Sequence, residues 1–428
     1  MITGLSMPGS KRQLGERGGI RVRRRQNRIF VVTLWVILCL SSLRPVAIVA
    51  QELNLAAKAA VLMEASSGEI IYEHNMHDPL PMASITKIMT LVLALEAIEE
   101  GAARLEDMVT TSEYANKMGG SQIWLEVGEQ MTLEEMLYAI AVGSANDAAV
   151  AVAEYLSGSE AAFVDHMNRR ARELGMGNAV FSNASGLPPK TLGMEGAEHH
   201  ASAQDLAVLS RHAASLPFLM KMVSTHEYIM RPDTTRKPHL YTLNELLDRV
   251  LESGRRYGYP GLDGIKTGMT SEAGYCLAST ASRDGMRLIS IVLGNPTKEA
   301  RKKDTVTLLD YGFRVYEPVV IARAGEPLGE VLIPRGKEEK VSVSARKDLV
   351  VGIPRGRSGD LTREMDWRKE LIAPLQKDEI VGELVIMREG KELSRVEVVT
   401  DAAVEQANTW QILMRMSKRL LRSIVPGL

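Results

Sequence analysis

Residues 82–90 read MASITKIMT, and they open the segment on which the fold and the chemistry of this chain depend. The residues that follow are mostly apolar and recur at helical spacing, among them Ile88 and Leu91. This pattern predicts a helix that buries most of its surface. Lys87 lies in the first turn of that helix, three residues after Ser84. Because an ammonium group in an apolar helix loses hydration unless another group compensates it, Lys87 needs an explanation other than packing.

The composition is that of an ordinary globular protein of two or three domains. The chain has 428 residues, of which 45% are hydrophobic and 25% are charged. Its formal net charge of −1 gives no indication of a nucleic-acid partner. The two cysteines, Cys39 and Cys276, are too few for a disulfide framework or a Cys-rich zinc site. We expect no metal ion and no other cofactor.

The first 50 residues have the pattern of an export signal. A run of arginines between positions 21 and 28 precedes an apolar run over residues 29–43, and small residues follow up to Ala50. We interpret residues 1–50 as a signal peptide that is cleaved near Ala50. An uncleaved anchor is the alternative, although the apolar run is short for a membrane-spanning helix. Cleavage would leave Cys276 as the single thiol, which suits an exported protein without disulfides.

Residues 51–317 alternate between strand-like and helix-like segments in the manner of an α+β domain. AAVLME, the turn SSGE and IIYEH predict a β-hairpin near the start. Helical patterns dominate from Ser84 to about Ala214. GIKTG, GYCLASTAS and RLISIVLG then predict consecutive antiparallel strands, and a helix follows from about Thr297 to Tyr311. Strands at both ends with helices between them suggest one sheet that is closed by the first and last segments.

The remainder of the chain has two further parts. Short strand-like runs separated by Gly, Pro or charged turns predict a small all-β domain over residues 318–400. Residues 401–428 predict an amphipathic helix, in which Trp410 and Leu413 share an apolar face and Arg415 and Lys418 lie on another. This pattern is typical of a helix that lies in a membrane surface. Packing of the helix against its own domain is the alternative.

Ser84 and Lys87 share one face of the predicted helix because they are three residues apart. A serine hydroxyl is a weak nucleophile until a base takes its proton. A neutral lysine amine can be that base if burial and nearby positive charge lower its pKa. Alternatively, Ser84 is an N-cap and Lys87 is a solvated side chain, since the pattern S-x-x-K alone is common by chance.

Two further motifs contain polar residues that suit the same chemistry. In AVGSANDAAV, Ser144 can relay a proton and Asn146 can bind a substrate amide, although both also suit a helix cap. In GIKTG, Lys266 can supply positive charge beside Lys87, with Thr267 facing the other side of the strand. Gly268 would let a ligand approach the strand closely. The alternative for K-T-G is that GIKTG is merely the end of a strand at the surface.

The three motifs S-x-x-K, S-x-N and K-T-G occur in this order, on a helix, a helix connection and a strand. Such a set is characteristic of penicillin-binding proteins and class A β-lactamases. Residues 58–315 resemble the low-molecular-weight penicillin-binding proteins, the serine D-alanyl-D-alanine carboxypeptidases. The resemblance extends to AAVLMEASSGEIIYEHN, to FSNASGLP and to GLDGIKTGMTSEAGYCLASTASRDGMRLISIVLG. It implies a transpeptidase-like domain, with helices on both faces of an antiparallel sheet, followed by a small β domain and an amphipathic helix.

The resemblance also implies roles for the residues of the three motifs. Ser84 would attack the carbonyl of the penultimate D-Ala, and Lys87 would be its general base. Ser144 would help to return the proton to the leaving D-Ala, and Asn146 would hold the substrate amide. The oxyanion would be held by the backbone N–H groups of Ser84 and Met269, where many family members have a histidine in place of Met269.

The terminal carboxylate of the substrate would be bound by Lys266 and Thr267, next to Gly268. An arginine before the last helix of the domain often assists in the family, and Arg301 is the candidate here. Lys298 and Lys302 lie close enough to be confused with it. The implied substrate is the peptidoglycan stem peptide, and β-lactams would act as covalent inhibitors. We expect an exported protein at the outer face of the bacterial cytoplasmic membrane, held there by its C-terminal helix.

Two alternatives to a carboxypeptidase remain at this point. One is a β-lactamase or another serine amidohydrolase on the same scaffold. The other is a non-catalytic wall-binding protein, against which the intact Ser84, Lys87 and Lys266 speak. Class A β-lactamases deacylate through a glutamate in a Glu-x-x-x-Asn loop, and no glutamate between Asn146 and Lys266 has an asparagine four residues later. The sequence therefore favours an enzyme that β-lactams trap.

Overall fold

The structure is a computed structural model and describes residues 52–231 and 239–424. The signal peptide predicted for residues 1–50 lies outside the described residues.

The first part of the chain is built on a five-stranded antiparallel sheet, as predicted. Its strand order is β2-β1-β11-β10-β9, so the hairpin at the start pairs with the last strands. The strands up to this point are β1 (Ala59–Glu64), β2 (Ile70–His74), β3 (Met108–Thr110), β4 (Gln130–Thr132), β5 (Glu227–Ile229), β6 (His239–Tyr241), β7 (Arg249–Val250), β8 (Arg256–Tyr257), β9 (Leu262–Thr270), β10 (Gly274–Arg283) and β11 (Met286–Asn295). Strands β3 to β8 form three separate two-stranded antiparallel sheets, β3-β4, β5-β6 and β7-β8.

Most of the helices pack around this sheet, and the last one follows the all-β part of the chain. They are α1 (Lys87–Glu99), α2 (Glu113–Asn116), α3 (Leu133–Val142), α4 (Asn146–Ser157), α5 (Glu160–Glu173), α6 (Ala203–Ala214), α7 (Pro217–Val223), α8 (Lys298–Val315) and α9 (Thr409–Ile424). Side-chain capping defines several starts. Thr132, for example, accepts a hydrogen bond from the backbone N–H of Glu135, whose carboxylate bonds back in a capping box before α3.

Alternate residues of the strands point to opposite sides of the sheet, and helices cover both sides, so both faces are buried. Val61 and Ile291 belong to the core formed with the helices of the middle region, including α1 and α4. Leu62 and Leu288 point the other way and pack with Leu308 of α8. The predicted α+β domain with helices on both faces of an antiparallel sheet is confirmed.

The second part of the chain is all-β and starts directly after α8. Its strands are β12 (Tyr316–Ala322), β13 (Pro327–Leu332), β14 (Lys340–Ala345), β15 (Leu349–Pro354), β16 (Leu361–Trp367), β17 (Ile380–Arg388) and β18 (Lys391–Thr400). Strand β12 pairs with β15, and the other five form a sheet of order β13-β14-β18-β17-β16. They enclose a separate hydrophobic core that includes Val343, Val351 and Val398.

The C-terminal helix is shorter than the predicted range of 401–428. Helix α9 begins at Thr409, because the preceding segment adds to the β domain instead: Val404 bridges Leu375, and Gln406 bridges Gly336. Among the helices in the described ranges, none combines the length and the apolar character needed to cross a membrane.

Candidate active site

The nucleophile candidate lies in a tight 3₁₀ turn, Ala83–Thr86, that runs into α1. Ala83 has φ +48°, a left-handed conformation that non-glycine residues rarely adopt. Two glycines pack against this turn. A Cβ on Gly268 would lie 2.8 Å from the carbonyl oxygen of Met82, and one on Gly186 would lie 2.1 Å from that of Ala83. Strand β9 therefore packs closely against the turn that carries Ser84, and the absence of a side chain at Gly268 allows this contact. The approach of a ligand to the strand at Gly268 stays a prediction.

Lys87 is completely buried, and its ammonium group has three hydrogen-bond partners. Its Nζ donates to Ser84 Oγ at 3.1 Å, to Asn146 Oδ1 at 2.5 Å and to the carbonyl oxygen of Ser185 at 2.5 Å. Burial lowers the pKa of Lys87 well below its ordinary value, and the charge of Lys266 lowers it further. The arrangement therefore favours the neutral amine that can accept a proton from Ser84.

Asn146 connects Lys87 to the loop before α3. Its Nδ2 donates to the carbonyl oxygen of Gly119 at 2.6 Å, so both ends of its side-chain amide are engaged. Ser144, which has φ +59°, is buried in the same junction between α3 and α4. Ser144 is not among the three hydrogen-bond partners of Lys87. A proton relay from Lys87 through Ser144 thus requires a rearrangement of these side chains.

Lys266 lies on β9 and is buried, as is Thr267 beside it. Burial lowers the pKa of Lys266 to about 7, with a further contribution from the charge of Arg301. The side chain of Met269 is 57% exposed, at the point where the strand leaves the site. Lys266 therefore combines a buried position with a charge that varies near neutral pH.

Arg301 extends from α8 to the same region. It is only 4% exposed, its Nη1 donates to the carbonyl oxygen of Cys276 at 3.5 Å, and its guanidinium lies 5.9 Å from the ring centre of Tyr275. The structure separates it from the two lysines that could be confused with it. Lys298 and Lys302 both pair with Glu245 at the surface, at 2.5 and 2.8 Å. Of the three cations, Arg301 is the one placed to act together with Lys266.

Comparisons with known proteins identify the family of this arrangement. Residues 46–297, more than half of the chain, match the D-alanyl-D-alanine carboxypeptidase family, and residues 316–406 match the C-terminal domain of penicillin-binding protein 5. The chain belongs to the D-alanyl-D-alanine carboxypeptidase family. It is an enzyme of the serine hydrolase class, and the predicted resemblance is confirmed.

Individual relatives cover between 61% and 85% of this carboxypeptidase. D-alanyl-D-alanine carboxypeptidase DacF from Bacillus subtilis is 36% identical over 365 residues, which cover 85% of this chain and 90% of DacF. The structure of PBP3 from Streptococcus pneumoniae superposes with a TM-score of 0.68 at 30% identity, covering 82% of this chain and all of that one. Penicillin-binding protein D2 from Listeria monocytogenes, solved with ampicillin bound, has a TM-score of 0.52 at 33% identity and covers 61% and 99%.

The structure adds a loop to the carboxypeptidase site that the three motifs did not indicate, residues 182–187. The carbonyl of Ser185 holds Lys87, and Asn183 Oδ1 accepts from the backbone N–H groups of Ser185 and Gly186. The carboxylate of Glu160 accepts from the N–H of Ala184 at 2.8 Å. The turn residues Asn, Ser and Gly in SNASGLP were the available signal, but a backbone carbonyl ligand leaves no side-chain pattern.

A histidine was also missed. His199 Nε2 lies 2.7 Å from Thr86 Oγ1, in the turn that carries the nucleophile. Its distance along the chain from every motif, and the absence of a fixed spacing, kept it out of the prediction.

Proposed function

We propose that this carboxypeptidase removes the terminal D-alanine from peptidoglycan pentapeptide stems through an acyl-enzyme on Ser84. The observation that carries the proposal is the fully buried Lys87, 3.1 Å from Ser84 Oγ, with a lowered pKa. A base with these properties converts the serine into a nucleophile at neutral pH.

In the first step, Ser84 Oγ bonds to the carbonyl carbon of the penultimate D-Ala while its proton passes to Lys87 Nζ. The carbonyl π electrons move to oxygen, and the resulting oxyanion accepts hydrogen bonds from the backbone N–H groups of Ser84 and Met269. The electrons of the oxyanion then re-form the C=O bond while the C–N bond breaks and its electron pair stays on the nitrogen. The leaving D-Ala amine receives the proton from Lys87 with the help of Ser144. Asn146 positions Lys87 and the substrate amide.

The terminal carboxylate explains the cluster of buried cations. Lys266, Thr267 and Arg301 would bind it, next to Gly268. Burial lowers the pKa of both Lys266 and Arg301, and the charge of Arg301 lowers that of Lys266 further, so a bound carboxylate would stabilise both positive charges. The free site is therefore best suited to a ligand with an anionic end.

Water finally hydrolyses the ester of the acyl-enzyme. For the ester formed with a β-lactam, the structure supports slow hydrolysis. Asp147 is the acidic group that acts on the pKa of Lys87. Its carboxylate already accepts hydrogen bonds from the backbone N–H groups of Ile123, Leu125 and Ala148, so it is not free to activate water. This favours a long-lived penicillin adduct over β-lactamase activity, and the ampicillin-bound relative supports the same assignment.

The test uses labelled penicillin and a pentapeptide ending in D-Ala-D-Ala. We expect a stable adduct on Ser84 and release of D-Ala, both of which are lost in Ser84→Ala and kept in the control Ser215→Ala. Rapid turnover of penicillin without release of D-Ala would support a β-lactamase instead. Absence of both adduct and product would contradict every enzymatic assignment.

We also propose that the protein is exported and lies on the outer face of the cytoplasmic membrane through α9. One side of this helix is attached to the β domain, where Arg415 Nη1 donates to the carbonyl oxygen of Gly336 at 2.6 Å. The other side leaves Trp410, Leu413 and Met414 from 46% to 67% exposed. Exposed apolar side chains that include a tryptophan suit the interface of a lipid bilayer.

A further inference from the structure

The peptide unit between Ala83 and Ser84 is held by Thr86, at a position that the S-x-x-K motif leaves unspecified. The carbonyl oxygen of Ala83 accepts a hydrogen bond from Thr86 Oγ1 at 2.8 Å. A trans peptide is planar, so its N–H points opposite to its carbonyl. The direction of the Ala83 carbonyl therefore sets the direction of the Ser84 N–H, which the proposed function assigns to the oxyanion.

His199 completes a one-way chain of hydrogen bonds to this peptide. The backbone N–H of Ser182 lies 3.0 Å from His199 Nδ1. Because a backbone N–H can only donate, Nδ1 is an acceptor, and the proton of the neutral ring is on Nε2. The Nε2–H therefore donates to Thr86 Oγ1 at 2.7 Å, and Thr86 gives its own proton to the Ala83 carbonyl.

The surroundings keep the ring in this form. Burial, with smaller contributions from the nearby His200 and Lys87, lowers the pKa of His199 to about 4. The ring also meets the edge of Phe181 at a centroid distance of 6.1 Å. A protonated ring would turn a second N–H toward the N–H of Ser182, so the chain of hydrogen bonds exists only with the neutral histidine.

We propose that His199 is a positioning residue for acyl transfer, which holds Thr86 so that the Ser84 N–H stays directed into the oxyanion site. The inference rests on the proposed function, because it assigns a purpose to the orientation of one of the two oxyanion donors. It explains why the chain accepts the left-handed Ala83 before the nucleophile.

The first test compares His199→Leu with His199→Gln, because a glutamine amide also offers one donor and one acceptor. The control is the adjacent His200→Leu. The measured quantities are the acylation rate by penicillin, kcat and KM for the pentapeptide, and the melting temperature. Since loss of one oxyanion donor reduces kcat by about 10²–10³-fold, we expect His199→Leu to lose roughly 10–100-fold in acylation and kcat at nearly unchanged KM. His199→Gln should recover most of the rate.

A second test keeps the inference open to refutation if His199→Leu does not fold. Thr86→Val removes the hydroxyl at nearly constant shape, whereas Thr86→Ser keeps it. We expect Thr86→Val to reduce the acylation rate as His199→Leu does and Thr86→Ser to retain it. In the double variant that combines His199→Leu with Thr86→Val, the two losses in acylation rate should not multiply, because both act through the same hydrogen bond to Ala83.

The outcomes are distinguishable. Normal acylation in both His199→Leu and Thr86→Val would overturn the inference and leave the proposed function intact. A loss that glutamine does not recover, or that raises KM alone, would assign His199 to packing of the 182–187 loop and also overturn it. Absence of acylation in the unaltered chain would overturn the proposed function and this inference together.

Discussion

At the scale of single residues, the proposed mechanism needs opposite charge states of two buried lysines. In it, Lys87 is neutral when it accepts the proton of Ser84, whereas Lys266 is protonated when it binds a carboxylate. Burial and the charge of Lys266 lower the pKa of Lys87, which favours its neutral form. Burial and the charge of Arg301 lower the pKa of Lys266 to about 7, so a bound carboxylate would stabilise its protonated form.

Replacing the base should stop the chemistry without removing the nucleophile. We expect Lys87→Met to reduce the rate of acylation of Ser84 by about 10³-fold, since general base catalysis contributes about 10²–10⁴-fold. The measurement is stopped-flow acylation by a labelled penicillin, with circular dichroism to confirm folding. The exposed Lys221→Met is the control. Acylation at the normal rate in Lys87→Met would exclude the assigned base.

The activity should depend on pH through both lysines, with opposite signs. As pH falls, Lys87 becomes protonated and acylation slows. As pH rises through about 7, free Lys266 loses its proton, so KM for a peptide with a terminal carboxylate should rise. In Lys266→Arg the guanidinium stays charged, and we expect KM to be flat over the same range. A flat KM in the unaltered enzyme would contradict the role of Lys266.

The sequence indicated most residues of the site because side-chain chemistry leaves motifs. Ser84, Lys87 and Asn146 are brought together as expected, and Arg301 lies beside Lys266. The acceptor for Lys87 on Ser185 was not predictable, since it is a backbone carbonyl whose position depends on the loop conformation. Ser144 lies in the predicted connection, but its hydroxyl does not bond to Lys87 in the free enzyme.

At the scale of elements, the nucleophile turn depends on two glycines from distant segments. Gly186 from the 182–187 loop and Gly268 from β9 both pack against the backbone of residues 82–83. Neither contact leaves room for a side chain. The strand pattern predicted that Gly268 admits a ligand, and neither its contact with the turn nor that of Gly186 was predicted, because both depend on the tertiary arrangement.

A matched pair of variants separates crowding from backbone strain. Gly186 and Gly193 have φ +81° and +71°, but a Cβ on Gly193 would meet nothing within 4 Å. We expect Gly193→Ala to cost about 1–2 kcal/mol in the free energy of unfolding, with normal acylation. Gly186→Ala should cost more and should suppress acylation, because it displaces Ala83. Urea denaturation and penicillin binding measure both, and equal behaviour of the two variants would refute the contact.

Periodicity was sufficient for the main strands and helices, but not for their ends. The segment expected to begin α1 is a 3₁₀ turn, because Ala83 is left-handed and the turn must present Ser84. The helix expected from position 401 starts at Thr409, because its first residues pair with the β domain. Both differences arise from tertiary contacts that a local pattern does not contain.

At the scale of the whole molecule, the two domains are joined by charged groups as well as by apolar contacts. Arg388 of β17 donates to Glu69 before β2 at 2.6 Å, and the arginine side chain is only 13% exposed. Burial, with a contribution from Glu69, raises the pKa of Tyr316. This contact orients the β domain on the catalytic sheet, and no motif in the sequence indicates which residues form it.

Removing this ion pair should weaken the whole protein. We expect Arg388→Met to destabilise it by about 1–3 kcal/mol, because Glu69 is left partly buried without its charged partner. The control Arg395→Met removes exposed pairs with Glu383 and Glu392 and should cost less than about 1 kcal/mol. Calorimetric melting of the full chain provides the comparison, and equal melting temperatures would show that the domains are held by apolar packing alone.

Membrane association through α9 can be tested on lipid vesicles. We expect the full chain to sediment with vesicles that contain anionic lipid, and Leu413→Glu to reduce the bound fraction strongly because it places a charge on the apolar side. Val250→Glu, at an exposed position of β7, is the control. Equal binding of both variants would contradict a membrane-facing role of this side of the helix.

Cys276 lies on β10 with no exposed surface, and burial raises the pKa of its thiol to about 11. Only the thiolate reacts with alkylating reagents, so this sulfur should remain unlabelled in the native protein at neutral pH. Among the described residues it is the only cysteine. A cysteine introduced at an exposed position such as Val127 would then be the single labelled group of residues 52–424, so a fluorophore attached there could follow acylation without removal of the natural thiol.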